Sequence, residues 1–501
     1  MDRLHDSLWV TLGHFLDGER SNEALSQLAL LLFQNSSRPL KEDVADPDQW
    51  YEAFSGANFR WEGLGIMFAS WTFGATTLSE NSNSEQRKQL GGNYNRRILM
   101  QTYKNSTTKC VDLCRSTSCN NTMMVFLLHV NSLTASVITG DTGAEFWRQH
   151  AEAVAMMTFL GLHTSQSNLL PEDCVSVQAK RKLFCAIFRT DMMLSTLTGR
   201  PPLLSSRLCS VPLPLDIDDI SLLNSKTETK NHQLDKDGWN IEEKNHATAF
   251  TRATYIILKI RSEILEMVLQ VPNLAGNYDF DEIRKREMDA ILRFPIKLQL
   301  KSTDFNNPDV GGPALHAKLI TRLEHLSNLF FIERLSYKGD GLYSAEILEI
   351  SLEMISLTVM FWTQQNRLEG LQGDYEWLVL VYAGPAGGIL CLELLRTTSN
   401  AANAPKTAKV TKSMIIKQLT LLTGFLEWIE PSTPGAHLCN SIRTVVERVI
   451  EQALNPAPKP LTTQQQEFDI AWDTSLPEDM NDFDFGLLDT FDWLKPLSTT
   501  I

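Results

Sequence analysis

Three cysteines, Cys110, Cys114 and Cys119, lie in the stretch KCVDLCRSTSCNN with three and then four residues between them. Closely spaced thiolates are the usual ligands of structural zinc, which needs four donors and commonly a tighter pair. The run supplies no fourth donor, and Cys110 and Cys114 are one helical turn apart, so helix packing accounts for them better than a metal. GLGIMF (Gly63–Phe68) starts like a dinucleotide loop but lacks the last glycine and follows a Trp-Glu pair instead of a strand. GPAGG (Gly384–Gly388) sits between helical runs and reads as a helix breaker or a close helix crossing, not as a phosphate cradle. His316 and His325 are nine residues apart, which puts them on different faces of a helix. No G-x-S-x-G, Walker loop, H-E-x-x-H or C-x-x-C occurs. The chain is therefore read as non-enzymatic, with no cofactor and no metal.

The elements that would position these residues are helical. In Ser413–Glu430, Ile415, Leu419, Leu422, Leu426 and Ile429 recur at steps of four and three, a single apolar stripe. Ile442, Val446, Val449 and Ala453 do the same in Ser441–Leu454. Ala345–Trp362 is apolar almost all round and predicts a buried central helix. Phe146–His163 reads as a helix ended by Gly161, and Lys180–Gly199 as one with Gly199 in the left-handed cap position. No run of alternating strands with hairpin signals is found, so the expected fold class is all-α. Polar loops are expected at 79–93 and 222–245, and a Pro/Gln-rich linker at 457–466 separates a helical region, 1–456, from an acidic end, 467–501.

Composition narrows the function classes. The 501 residues carry 46 basic and 60 acidic side chains, a net charge of −14. Gripping DNA needs clustered Lys and Arg, and the longest basic runs, Lys180–Lys182 and Arg96–Arg97, read as solvated helix faces. The first residues, with acids and histidines inside their apolar stretch, are not a signal peptide. The uncharged run near Trp377–Leu392 is expected to be too short and too broken by glycine and proline to span a membrane. The eight cysteines are expected to be free thiols.

The stretch TGRPPLLSSRLCSVPLPLDIDD (Thr198–Asp219) joins a tight turn to a proline-spaced acidic loop. Gly199 permits a positive φ, Pro201 and Pro202 drive the chain out of helix, and Arg200 has the reach to meet Asp191 or the preceding helix end. Asp216, Asp218 and Asp219 are expected to form an exposed acidic loop. The bland role is to fix one helix against the next; the functional one is to line an effector pocket or a regulatory contact.

Arg181–Asp219 strongly resembles the middle homology region of fungal zinc-cluster transcription factors. Four further stretches agree in order: Phe54–Ser70 with its Arg-Trp-Glu block, Ala153–His163 ending Gly-Leu-His, Tyr382–Arg396 with a proline-centred break, and Ile415–Pro431. The resemblance covers roughly Asp46 to Pro456. It implies a large helical regulatory domain, a nuclear location, and control of a metabolic or secondary-metabolite gene set. Family members normally begin with a binuclear zinc cluster of six cysteines; no stretch here has that spacing, the first cysteine being Cys110. The chain is expected to make no sequence-specific DNA contact of its own and to work as a homodimer or as a heterodimer with a zinc-cluster factor.

Residues 467–501 hold nine acids, one lysine and six aromatics: Phe468, Trp472, Phe483, Phe485, Phe491 and Trp493. Alternating acids keep the aromatics from collapsing into a core, the composition of a disordered activation segment that binds a coactivator groove. Leu487, Leu488, Phe491 and Leu494 have the spacing of an induced helix face. The reading is a transcriptional activator. Its rivals are a DNA-independent partner or competitor of a zinc-cluster factor, and a helical small-molecule-binding protein.

Overall fold

The computed structural model describes residues 2–15, 21–77, 95–165, 170–224, 233–242, 246–269, 279–336, 344–368, 375–399, 409–429, 431 and 433–455. The expected loop at 79–93, the linker and the acidic end, with its six aromatics, lie outside the described residues, and the loop at 222–245 lies partly outside. Among the described residues the fold is all-α, its only strand-like pairing a single bridge between Leu234 and Asn240. The chain divides into two units.

The first unit takes Met1–Asp191 and Pro202–Tyr255. It contains α1 (Asp2–Leu12), α2 (Asn22–Ser36), α3 (Pro47–Glu52), α4 (Trp61–Thr76), α5 (Arg96–Ser116), α6 (Thr122–Thr139) and α7 (Ala144–Phe159). It also holds most of α8 (Val175–Thr198), the short α9 (Asp219–Leu223) and the start of α10 (Ala247–Leu269). The helices begin where the sequence offers caps: the side chains of Ser21, Asp46, Asn95, Asn121 and Asp218 each accept a backbone N–H of the first turn. Helix α4 packs on α5 and α6. Gly65 allows that approach, since a Cβ there would stand 2.6 Å from Leu127 and 2.9 Å from Cys110. Gly65 of GLGIMF thus serves helix packing.

The second unit takes Met192–Pro201, Ile256–Glu369 and the described residues from 375 to 455. Its helices are the rest of α10, α11 (Phe280–Leu292), α12 (Gly312–Ser336), α13 (Ala345–Thr363), α14 (Tyr375–Leu378), α15 (Gly384–Ser399), α16 (Lys412–Trp428) and α17 (Ala436–Leu454). Helix α13 packs on α12, α15 and α16, and α17 on α15 and α16. The stripe read in α16 is buried through Ile415, Leu419, Leu422 and Leu426.

GPAGG does not break its helix. A π-helical turn at Val379–Ala383 runs straight into α15, and the Gly384 N–H bonds to Val379 O, five residues back. The wider turn absorbs the missing N–H of Pro385 without ending the helix. This corrects the expectation of a run too broken to span: Val379–Arg396, like Thr122–Thr139, is long and apolar enough to cross a membrane. Both windows are largely covered by the protein itself, 89 % and 56 % buried respectively.

Candidate functional site

The turn after α8 is built around Asp191, which is fully buried. Its carboxylate accepts the backbone N–H of Leu203 (3.1 Å) and of Leu204 (2.8 Å) and meets His150 Nε2 at 3.2 Å. Gly199 closes the helix with φ +63° and donates to Ser195 O at 2.9 Å. Pro201 and Pro202 then deliver the two amides to the carboxylate. Of the two partners read for Arg200, the preceding helix end or Asp191, Asp191 is satisfied otherwise, by backbone amides and an imidazole.

The acidic loop is exposed at Asp219 and partly at Asp218, but not at Asp216. Asp216 is fully buried; its N–H donates to Gly238 O (3.0 Å) and its carboxylate accepts from Asn240 N (3.0 Å). Beside it Arg252, 1 % exposed, donates to Pro214 O and Asp237 O and stacks on Trp239, its guanidinium carbon 4.4 Å from the ring centroid. Burial lowers the Arg252 pKa, and the charge of Asp216 acts against that shift. Gln178 accepts from Leu215 N–H at 2.7 Å, and Thr248 donates to Ile217 O at 3.1 Å. Asp218 caps α9, and Asp219 pairs with Lys182 at the surface. Proline at alternate positions made this strap look like a solvated loop; buried donors hold it in place.

The Arg-Trp-Glu block has an equally physical role. Arg60, 3 % exposed, donates to Asn35 O (2.6 Å), Ser36 O (3.0 Å) and Arg38 O (3.0 Å), carbonyls at and just past the end of α2. Glu62 accepts from Arg60, Ser36 and Asn121 at 2.9–3.0 Å. Donor atoms of Glu62, Cys114 and Cys119 lie within 4.8 Å of one another. Both Glu62 oxygens are already taken by strong donors, and Cys119 bonds to Ser36 O at 3.2 Å. The trio therefore does not fit a metal. Burial pushes the Cys110 thiol up to about 12. The Cys114–Cys119 hydrogen bond raises the Cys114 pKa and lowers that of Cys119.

The first unit also contains a half-open hollow of about 820 Å³. Trp50 and Phe54 line it from the α3 side, Met123 and Phe126 from α6, Leu183 from α8 and Ile220 from α9. Ala179, Leu183 and Ala186 fall on one face of α8, and the two alanines leave the room. The charged groups at its edge are Arg3, Glu42, Lys180 and Lys182. Glu42 accepts the Thr122 N–H at the start of α6 (3.0 Å), and burial raises its pKa. Lys180 pairs with Asp43 at 2.6 Å. Gly199, Arg200, Pro201 and Pro202 do not line the hollow. Sequence reading passed over this site, since its walls come from eight separate segments. It also passed over His150, set aside among scattered histidines, and Arg252 and Trp239.

Among the described residues the structure is an all-α body whose loops are held by buried polar side chains. Residues 93–276 match the model of the fungal specific transcription factor domain. The chain carries that domain over these residues, which supports a role in transcriptional regulation. The match covers a little over a third of the chain. It takes in the Asp191 turn and the Asp216 strap, while the Arg-Trp-Glu block and the blocks beyond Tyr382 lie outside it. No curated protein and no solved structure matches the chain.

Proposed function

We propose that the chain is a nuclear transcriptional activator, its helical body regulatory and residues 467–501 its activating segment. One observation carries the reading: a fungal specific transcription factor domain shares a chain with an end of nine acids and six aromatics. Such an end binds coactivator grooves through aromatics kept apart by like charge. A metabolic or biosynthetic gene set is the proposed target. With a net charge of −14 and no six-cysteine spacing, sequence-specific DNA contact is assigned to a zinc-cluster partner.

The test fuses residues 460–501 to a foreign DNA-binding domain in a reporter strain. Activation is expected, with a severalfold loss on replacing Phe491 and Trp493 by alanine. A silent fusion would remove the activator reading. A pull-down with the full chain that recovers no zinc-cluster protein would remove the partner assignment.

A further inference from the structure

We propose that Cys114 and Cys119 form an oxidative modification site, a dithiol at the end of α5 that hydrogen peroxide closes to a disulfide. The helix ends in a left-handed stop with two reverse hydrogen bonds: Cys119 N–H donates to Cys114 O (3.2 Å) and Ser118 N–H to Arg115 O (3.1 Å). Such a stop brings the third-last helical side chain against that of the third residue past the end, and here both are cysteines. The two sulfur atoms lie within 4.8 Å of each other, and the backbones that carry them already touch through a hydrogen bond, so a bridge needs only side-chain rotation. Cys110, one turn earlier, faces Gly65 of α4 instead.

Cys114 is fully buried and Cys119 is 5 % exposed, but the turn between them is at the surface, with Arg115, Ser116 and Ser118 exposed. Ser118 sits at φ +54°, a backbone region that glycine adopts cheaply and a residue with a side chain does not. A strained surface turn opens more readily than the helix behind it, and a small opening admits a molecule the size of hydrogen peroxide. The surroundings divide the roles. Cys119 Sγ is 2.9 Å from Thr117 Oγ1, and as a thiol it donates to Ser36 O at 3.2 Å. The hydrogen bond from Cys114 lowers the Cys119 pKa against burial and the charge of Glu62, with help from Thr117 and Arg60. The same bond raises the pKa of Cys114. Cys119 is thus the nucleophile and Cys114 the resolving thiol. Burial pushes the Cys110 and Cys185 thiols up to about 12, which leaves them inert.

In the first step the Cys119 thiolate attacks a peroxide oxygen. The S–O bond forms, the O–O bond breaks, and the departing hydroxide takes up the proton that Cys119 gave, leaving as water. In the second, the Cys114 sulfur attacks the sulfenic sulfur. The S–S bond forms, the S–O bond breaks, and hydroxide leaves with the Cys114 proton as a second water. The two thiols lose two electrons and one hydrogen peroxide gains them. The disulfide takes from Ser36 O the donor that Cys119 supplied and leaves it to Arg60, so the change is felt at the end of α2. This chemistry does not depend on the transcriptional reading.

The experiment treats the purified, reduced full chain with hydrogen peroxide under native conditions, alkylates the remaining thiols, digests with trypsin and reads the peptides by mass spectrometry. Trypsin cuts after Lys109, Arg115 and Arg148, so Cys110 and Cys114 fall on one peptide and Cys119 on the next. The two peptides are expected to be joined, two hydrogens lighter than their sum, as the main oxidation product. The join should persist in Cys110→Ala and vanish in Cys114→Ala, where dimedone should label Cys119 instead. Should either variant lose its helical circular dichroism, Cys110→Ser or Cys114→Ser takes its place. No join in the native chain, a join formed only in urea, or a join that survives Cys114→Ala would overturn the proposal.

Discussion

Helix α10 carries two buried arginines nine residues apart, each 1 % exposed, and they are neutralised in different ways. In the first unit, Arg252 spends its donors on the carbonyls of Pro214 and Asp237 and stacks on Trp239. In the second unit, Arg261 bonds to residues of α12: the Asn328 side chain, and Glu324 through both its backbone carbonyl (3.0 Å) and its carboxylate (3.1 Å). Asn328 then donates to Ile257 O (3.0 Å) and Glu287 (2.9 Å), and Glu287 meets His325 at 2.8 Å. One arginine shapes a loop by satisfying its backbone. The other fixes how helices cross, within a closed network of charges. Asp191 belongs with the first kind, as it too is spent on backbone groups. The first unit therefore has pinned loops and an open hollow, while α12 in the second is buried along most of its length.

The sharpest break of that contrast is Arg261→Met. It strands Glu324 without its counter-charge in the core and should cost about 4 kcal/mol in urea unfolding. Adding Glu324→Leu should recover most of the loss, because the network then no longer holds an unpaired charge. Asp191→Ala comes next, at about 3 kcal/mol, since two buried amides and an imidazole lose their acceptor together. Arg252→Met should cost about 2 kcal/mol, with faster amide exchange confined to residues 213–224 and 233–242. Exchange spread evenly over both units would dissolve the distinction between the two arginines.

A pH experiment separates the units in another way. Burial, with a smaller contribution from His150, lowers the His129 pKa to about 3. The unfolded chain binds this proton near pH 6.5 and the folded chain only near 3, so the unfolded state holds more protons in between. The stability is present above pH 6.5 and is lost as pH falls toward 3. Between pH 7 and pH 5 the loss should be about 2 kcal/mol, and His129→Leu should flatten the profile. The smallest effect is at the turn. Gly199→Ala forces a side chain into φ +63° and should cost about 1 kcal/mol, read as a lowered melting temperature.

Much of the molecule was legible along the chain. The stripe at Ile415, Leu419, Leu422 and Leu426 predicted α16, and Ala345–Trp362 predicted α13, observed at Ala345–Thr363. Gly199 was placed correctly in the left-handed region because glycine alone tolerates it cheaply. The errors share one cause. Asp216 and Asp191 were given solvent or a nearby arginine, whereas their true partners are backbone groups 12 to 24 residues away. Of the two readings of GPAGG, a break or a close helix crossing, the break failed, since no periodicity announces that a π turn will take up a proline, while Gly387 does lie close against Leu422 of α16.

By itself the sequence determined the helices, because side-chain periodicity and capping are local and each turn carries its own signal. It also determined the turn at Gly199, where a single missing Cβ sets the allowed φ, and the chain's strong negative charge. Only the tertiary structure decided which buried polar groups meet: Asp191 with His150, Arg252 with the 214–237 strap, Arg261 with Glu324. It alone assembled the hollow from residues of α1, α3, α4, α6, α8, α9 and α10 and the stretch at Glu42. These are long-range pairings, fixed by the requirement that every desolvated polar group find a partner, and that requirement acts on the folded whole rather than along the chain.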